Sequence, residues 1–218
     1  MRWFKDTDAG SYYGGAESVA KYNKSVVDRR RMHSYQKKEY DNVIKDLDEV
    51  GFHIIKGAFP LEQIASLKVE VDKMVDDGEN LKVNNDYWKV IDQPLYNCSK
   101  LAFDIATNKK IINIASEFFE CTPAIGTLNL RKSLVNNLPE DTTNFFHVDP
   151  NSVKFLKFFI YLNDVSTPAD GPLTLIEGSH KNKFLGWQNK YRWTEEEILK
   201  IYGEDKMRYM LANAGDLI

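Results

Sequence analysis

The sequence Phe145-Phe146-His147-Val148-Asp149 gives the clearest indication of fold and chemistry in this chain of 218 residues. Side chains two residues apart on a strand point to the same side, so His147 and Asp149 are expected to lie together. One imidazole and one carboxylate are two of the three ligands in the facial triad that holds non-haem iron. A hydrogen-bonded surface pair is the alternative interpretation of so short a motif.

Around this motif the sequence divides into a helical half and a half of short strands. Helices are predicted at about residues 35–50, 60–78, 99–107 and 109–119, with a short strand at 52–55 and a polar stretch at 79–97. Strands are predicted at 125–134, 144–149, 154–162, 173–176 and 207–211, with a helix capped by Thr194 and a last strand from Asp216. Helices first and strands second favour an α+β fold, in which helices support an antiparallel sheet or jelly roll.

Length and composition restrict the class of protein. We expect an irregular N-terminal arm over residues 1–34 and one domain over residues 35–218, helical up to 120 and jelly-roll from 125. A net charge of −3 argues against nucleic-acid binding. Two cysteines favour a reducing, cytoplasmic location. No apolar run reaches the roughly 20 residues of a membrane span, and the N-terminus does not resemble a secretory signal.

Several motifs in order resemble the phytanoyl-CoA dioxygenase family of iron(II)- and 2-oxoglutarate-dependent oxygenases. Besides the histidine–aspartate pair they are G-F-H-I-I-K-G-A-F-P at 51–60, F-I-Y-L-N-D-V at 159–165, D-G-P-L at 170–173, I-E-G-S-H-K at 176–181 and A-G-D-L-I at 214–218. The resemblance implies a double-stranded β-helix, of the jelly-roll or cupin type, with N-terminal helices packed on one sheet.

The same resemblance implies a set of ligands and cosubstrates. His147 and Asp149 would hold Fe(II), and the enzyme would use 2-oxoglutarate and O2 to hydroxylate a small organic substrate. Lys89 resembles a lysine that contacts the cosubstrate, with an exposed lysine as the alternative. Phe159 aligns with an aromatic position in the cosubstrate pocket, with core packing as the alternative. Arg131 lies on the strand before the pair, on a polar face that either lines the cavity or faces solvent.

The family's remaining site residues are a later histidine, which is the third iron ligand, and an arginine that binds the cosubstrate. Both are expected beyond Ile218, together with the closing strands of the barrel. Without those strands, the last strand from Asp216 would be an unpaired edge. His180, in the G-S-H-K turn, is expected to be structural, because the preceding glycine and serine turn the chain before it can face a barrel interior.

Two other classes of function stay open. One is a jelly-roll binding or structural module without redox activity, which does not need the third ligand. The other is a hydrolytic metal site, with zinc as the metal. The complete reading frame beyond Ile218 and metal analysis of anaerobically purified protein separate these classes.

Overall fold

The computed structural model describes residues 39–76, 81–84, 88–91, 99–133, 145–149, 154–181 and 192–218, together with residue 190 and parts of 20–28. In these ranges the chain combines α-helices with short antiparallel strands, and the predicted α+β class is confirmed. None of the helices in these ranges has both the length and the apolar character required to cross a bilayer. Most of the predicted N-terminal arm lies outside the described residues, so the division into arm and domain stays a prediction. Its described residues, at 20, 21, 23–25, 27 and 28, are helical, so the arm is not irregular throughout.

The helices follow the apolar stripes and capping residues of the sequence. From residue 39 onward the described α-helices are α1 (Asp41–Glu49), α2 (Leu61–Asp76), α3 (Lys100–Ala106), α4 (Lys109–Phe119) and α5 (Glu195–Tyr202). Ser99 and Asn108 accept main-chain hydrogen bonds at the starts of α3 and α4. Thr194 and Glu197 form the predicted capping box of α5. These caps satisfy amide groups that have no partner within the helix, which explains why the starts of α3, α4 and α5 were predicted closely.

The start of α1 depends instead on a residue that is distant in the sequence. Tyr40, at its N-cap position, makes no side-chain cap bond. The carboxylate of Glu117, on α4, accepts hydrogen bonds from the main-chain N–H groups of Glu39 and Tyr40, at 2.7 and 3.0 Å. This buried negative charge lies at the positive end of the α1 dipole and stabilises it there. Glu117 therefore joins α1 to α4, and α1 begins at Asp41 rather than at residue 35.

In the part of the chain that the structure describes, the strands are shorter than predicted and form three small antiparallel sheets. They are β1 (Leu81–Asn84), β2 (Trp88–Ile91), β3 (Arg131–Ser133), β4 (Phe146–His147), β5 (Thr174–Ile176), β6 (Arg192–Trp193) and β7 (Met207–Tyr209). The sheets have the orders β1-β2-β3, β4-β6 and β5-β7. β1 and β2 lie in the stretch 79–97, to which the sequence analysis assigned no strand. β1 pairs with β2 in a local hairpin, and β2 pairs on its other side with β3, about forty residues further along the chain. The polar composition of this stretch did not indicate strands, because strand formation depends on such pairing more than on local propensity.

The last segment of the chain is paired on both sides. Leu217 forms antiparallel bridges with Ile55 and with Ile160. Its main chain exchanges hydrogen bonds of 2.8 and 3.0 Å with Ile55, and Ile218 exchanges two of 2.9 Å with Phe159. The prediction of an unpaired edge at this strand is therefore wrong. One of its two neighbours is Ile55, which is too distant in the sequence to be predicted as a partner from local patterns.

Two apolar clusters lie in the described part of the chain. The larger cluster joins the inner faces of α2, α3 and α4 to the extended segments. Its buried members are Phe59, Ile64, Leu67, Val71, Val75, Ala102, Ile105, Ile111, Ile114, Leu130 and Leu217. The smaller cluster contains Ile176, Trp193 and Ile198, with Phe146 and Val148 packed against it. Each fully buried side chain of this size contributes about 1.5–3 kcal/mol, so the two clusters hold the segments that carry the candidate site.

Candidate functional site

The histidine–aspartate pair lies on one side of the segment 145–149. Phe146 and Val148 pack against the smaller cluster. His147 and Asp149 alternate with them and meet on the opposite side, where His147 Nε2 is 3.4 Å from Asp149 Oδ1. Both side chains are about one quarter exposed, at 26% and 28%. The apolar residues of the motif therefore anchor it, and its polar residues are presented together.

The imidazole of His147 is oriented by the main chain. Its Nδ1 lies 2.7 Å from the carbonyl oxygen of Phe145. A carbonyl oxygen only accepts, so Nδ1 carries the proton and donates. In the neutral ring Nε2 is then left with its lone pair directed toward Asp149. Histidines that bind metals are commonly held in this way, by a hydrogen bond from the other ring nitrogen.

The two oxygens of Asp149 have different partners. Oδ1 faces His147, and Oδ2 accepts a hydrogen bond from the ammonium of Lys157. Lys157 lies on the extended segment 154–160, in which Leu156 and Phe158 pack against the larger cluster. By strand alternation Lys157 and Phe159 lie on the other face, the one toward Asp149. The ion pair therefore ties the motif to the segment that pairs with the end of the chain.

The protonation states follow from these contacts. The hydrogen bond from His147 and that from Lys157 lower the pKa of Asp149 to about 2, against the opposing effect of burial. The hydrogen bond to Asp149 raises the pKa of His147; the Phe145 carbonyl adds to this effect, and burial and the charge of Arg192 oppose it. Asp149 is thus ionised at neutral pH. A cation that binds His147 Nε2 must compete with a proton, so its affinity rises with pH.

Two arginines add positive charge around the pair. Arg192, on β6, is the antiparallel partner of His147. Arg131, on β3, is exposed as a whole residue, but loss of hydration lowers the pKa of its guanidinium, and the Asp149 carboxylate opposes that effect. Lys157 and Arg131 thus act on the Asp149 carboxylate, and the charge of Arg192 acts on His147. Such an excess of positive charge favours anionic ligands, including dicarboxylates.

The other candidate residues differ in how far they are described. Phe159 is half-buried, and its main chain pairs with Ile218. Lys89 lies on β2, where its main chain is the neighbour of Lys132, and its side chain is outside the described residues. The cosubstrate contacts of Phe159, Lys89 and Arg131 stay predictions.

His180 belongs to a different contact, at the end of α1. Its Nε2 donates to the carbonyl oxygen of Asp48 at 3.0 Å, and the N–H of Gly178 donates to that of Val50 at 2.9 Å. Gly51 has a φ of +97°, and a Cβ at this position would lie 2.7 Å from His180 Nδ1. The G-S-H-K turn thus packs closely on the C-terminal end of α1. Within the described ranges no third His, Cys, Asp or Glu joins His147 and Asp149 in a metal-binding group.

Sequence reasoning missed Lys157 and Arg192. A signal for Lys157 was present, because it is the one charged residue in the run Phe155-Leu156-Lys157-Phe158-Phe159. A lysine that alternates with core residues has to find a partner on the polar face of its strand. Arg192 had no such signal, since its proximity to His147 depends on the register between β4 and β6.

The His147–Asp149 pair is better suited to bind a divalent transition-metal ion than the other histidine–aspartate pair of this chain, His53–Asp46. At 3.4 Å, His147 Nε2 and Asp149 Oδ1 can both lie about 2.1 Å from a single point. His53 Nδ1 and Asp46 Oδ2 are only 2.6 Å apart, the length of a direct hydrogen bond. The atoms of the first pair are spaced for chelation of one ion, whereas those of the second pair are at the distance of a direct hydrogen bond.

No protein-family model matches this chain, and no curated protein matches it. The functional interpretation therefore depends on the geometry of the His147–Asp149 pair and on the order of the sequence motifs.

Proposed function

We propose that this chain is a double-stranded β-helix protein of the phytanoyl-CoA dioxygenase type, and that His147 and Asp149 are iron(II) ligands of a 2-oxoglutarate-dependent hydroxylase. The observation that carries the proposal is the 3.4 Å approach of His147 Nε2 to Asp149 Oδ1, with Nδ1 held by the Phe145 carbonyl. Antiparallel pairing of Ile55 and Ile160 with Leu217 is compatible with such a fold.

The residues of this chain have distinct roles in the proposal. His147 binds the ion through Nε2, and Asp149 binds through Oδ1 and neutralises part of its charge. When bound, iron(II) with O2 and 2-oxoglutarate supplies the oxidising chemistry that hydroxylates a C–H bond of the substrate. Arg131 supplies positive charge for a carboxylate of the cosubstrate, and Phe159 lies on the same face of its segment as Lys157. The family resemblance also requires a third ligand and a cosubstrate-binding arginine, and neither is assigned to a described residue.

A metal titration tests the ligand assignment. The protein is titrated anaerobically with Co(II), a stable substitute for Fe(II), and its visible absorption is recorded. We expect His147→Ala and Asp149→Ala each to weaken binding at least about tenfold, because each removes a ligand. His53→Ala is the matched control, since it also breaks a histidine–aspartate pair and should leave Co(II) binding unchanged. Equal effects of His147→Ala and His53→Ala would contradict the assignment.

Succinate formation tests the reaction. In the product of the complete reading frame, Asp149→Ala should abolish succinate release from 2-oxoglutarate, whereas His180→Ala should retain it if the turn still folds. Metal binding without succinate formation would favour a hydrolytic site, for which zinc content and esterase activity are measured. A wild-type protein that binds no metal and forms no succinate would favour the non-catalytic module, with His147 and Asp149 as a structural ion pair.

A further inference from the structure

Lys157 lies on an extended segment whose neighbouring residues are anchored to the rest of the domain. Its neighbours Leu156 and Phe158 pack against the larger cluster. Two residues further along, the main chain of Phe159 exchanges two 2.9 Å hydrogen bonds with Ile218. The side chain of Lys157 therefore projects toward the motif from a segment that is anchored on both sides of it by core packing and, beyond it, by main-chain pairing.

Because Lys157 contacts only one oxygen of the Asp149 carboxylate, the two oxygens are not equivalent. Oδ2 accepts the hydrogen bond from Lys157 Nζ. Oδ1 lies on the side of the imidazole, 3.4 Å from His147 Nε2. An ammonium hydrogen-bonded to Oδ2 repels a cation from that oxygen, so only Oδ1 is available for coordination.

We propose that Lys157 determines the metal preference of this centre by restricting Asp149 to coordination through one oxygen. This inference rests on the proposed function, since it requires an ion between His147 and Asp149. Calcium takes six to eight oxygen ligands and often binds a carboxylate through both oxygens. First-row transition metals favour imidazole nitrogen and accept a single carboxylate oxygen. When the second carboxylate oxygen is not available, the affinity for calcium therefore falls more than the affinity for a transition metal.

The ratio of two affinities separates this role from simple charge repulsion and from loss of folding. Lys157 repels Co(II) and Ca(II) alike, because both ions carry two charges. A partly unfolded variant loses affinity for both ions in the same proportion. A change in the number of available carboxylate oxygens changes the ratio of the Ca(II) to the Co(II) dissociation constant, and it does so by lowering the Ca(II) constant rather than by raising the Co(II) constant.

The experiment compares this ratio in the wild-type protein and in Lys157→Met, Lys157→Arg and Lys154→Met variants, by titration with each metal alone at one ionic strength. We expect Lys157→Met to shift the ratio about tenfold in favour of calcium, equivalent to about 1.4 kcal/mol. Lys157→Arg should keep the wild-type ratio, because a guanidinium also occupies Oδ2. Lys154→Met is the matched control, since Lys154 Nζ donates instead to the carbonyl of Phe118 at 2.9 Å.

The possible results distinguish this inference from the proposed function. If the wild-type protein binds Co(II) through His147 and the ratio is unchanged in Lys157→Met, the role of Lys157 is refuted and the metal centre stands. An equal shift in Lys154→Met also refutes it, because that lysine does not contact Asp149. If wild-type Co(II) binding does not depend on His147, the metal centre is refuted, and the role of Lys157 is refuted with it.

Discussion

Replacement of Asp216 by alanine should destabilise the protein by about 3 kcal/mol. Asp216 is only 3% exposed, and its carboxylate accepts main-chain hydrogen bonds from Gly57 at 2.7 Å and Asn213 at 2.9 Å. A hydrogen bond to a charged group contributes about 1.5 kcal/mol or more, so the two amides account for about 3 kcal/mol. Lys56 Nζ, 3.1 Å away, adds less than about 1 kcal/mol, because its side chain is 63% exposed.

Urea denaturation followed by circular dichroism measures this loss, provided that the slope with denaturant stays constant. Asp170→Ala is the matched control. Asp170 also accepts three hydrogen bonds, from the N–H of Ser166 and from the N–H and hydroxyl of Thr167, but it is exposed. In the variant, water can accept hydrogen bonds from the groups that donated to this carboxylate, so the loss of stability should be much smaller. A midpoint shift for Asp216→Ala no larger than that for Asp170→Ala would refute the reasoning.

The acid dependence of stability gives a second measurement on the same residue. Burial raises the pKa of Asp216, but the hydrogen bonds from Gly57, Asn213 and Lys56 outweigh it and hold the pKa below the ordinary 3.8. The stabilising contribution is therefore complete above pH 3.8 and is lost as the pH falls through the lower pKa of the folded state. Asp216→Asn should lack this part of the acid-induced loss of stability. Parallel pH profiles for the two proteins would contradict the assignment.

The remaining predictions concern the candidate site and the turn beside α1. Because His147 and Lys157 lower the pKa of Asp149 to about 2 from 3.8, its contribution of about 2 kcal/mol should disappear between about pH 4 and 2, and Asp149→Asn should show a flatter urea midpoint over that range. Gly51→Ala should cost at least about 1–2 kcal/mol, because φ is +97° and the new Cβ would meet His180. Adding His180→Ala relieves the clash, so the double variant should be less destabilised than the sum of the two single variants; exact additivity would show that the clash does not exist.

Local sequence determined the helices and the pairing of polar residues in the motif. The positions at which α3 and α4 begin follow from the N-cap residues Ser99 and Asn108 and from the spacing of apolar residues. Capping and amphipathic packing both act within one or two helical turns. The meeting of His147 and Asp149 follows from the alternation of a strand, a property of the backbone alone. In both cases the interacting groups are at most a few residues apart in the chain.

Only the tertiary structure decided the partners that come from distant segments. Three such contacts depend on strand register and helix packing. They are Lys157 with Asp149, Arg192 opposite His147, and Glu117 with the start of α1. The double pairing of Leu217 has the same origin, since its two neighbours are separated from it by 162 and 57 residues. The sequence by itself thus indicated which side chains carry the candidate chemistry. Folding decided which charges surround them, because electrostatic interactions depend on distances in space rather than on separation along the chain.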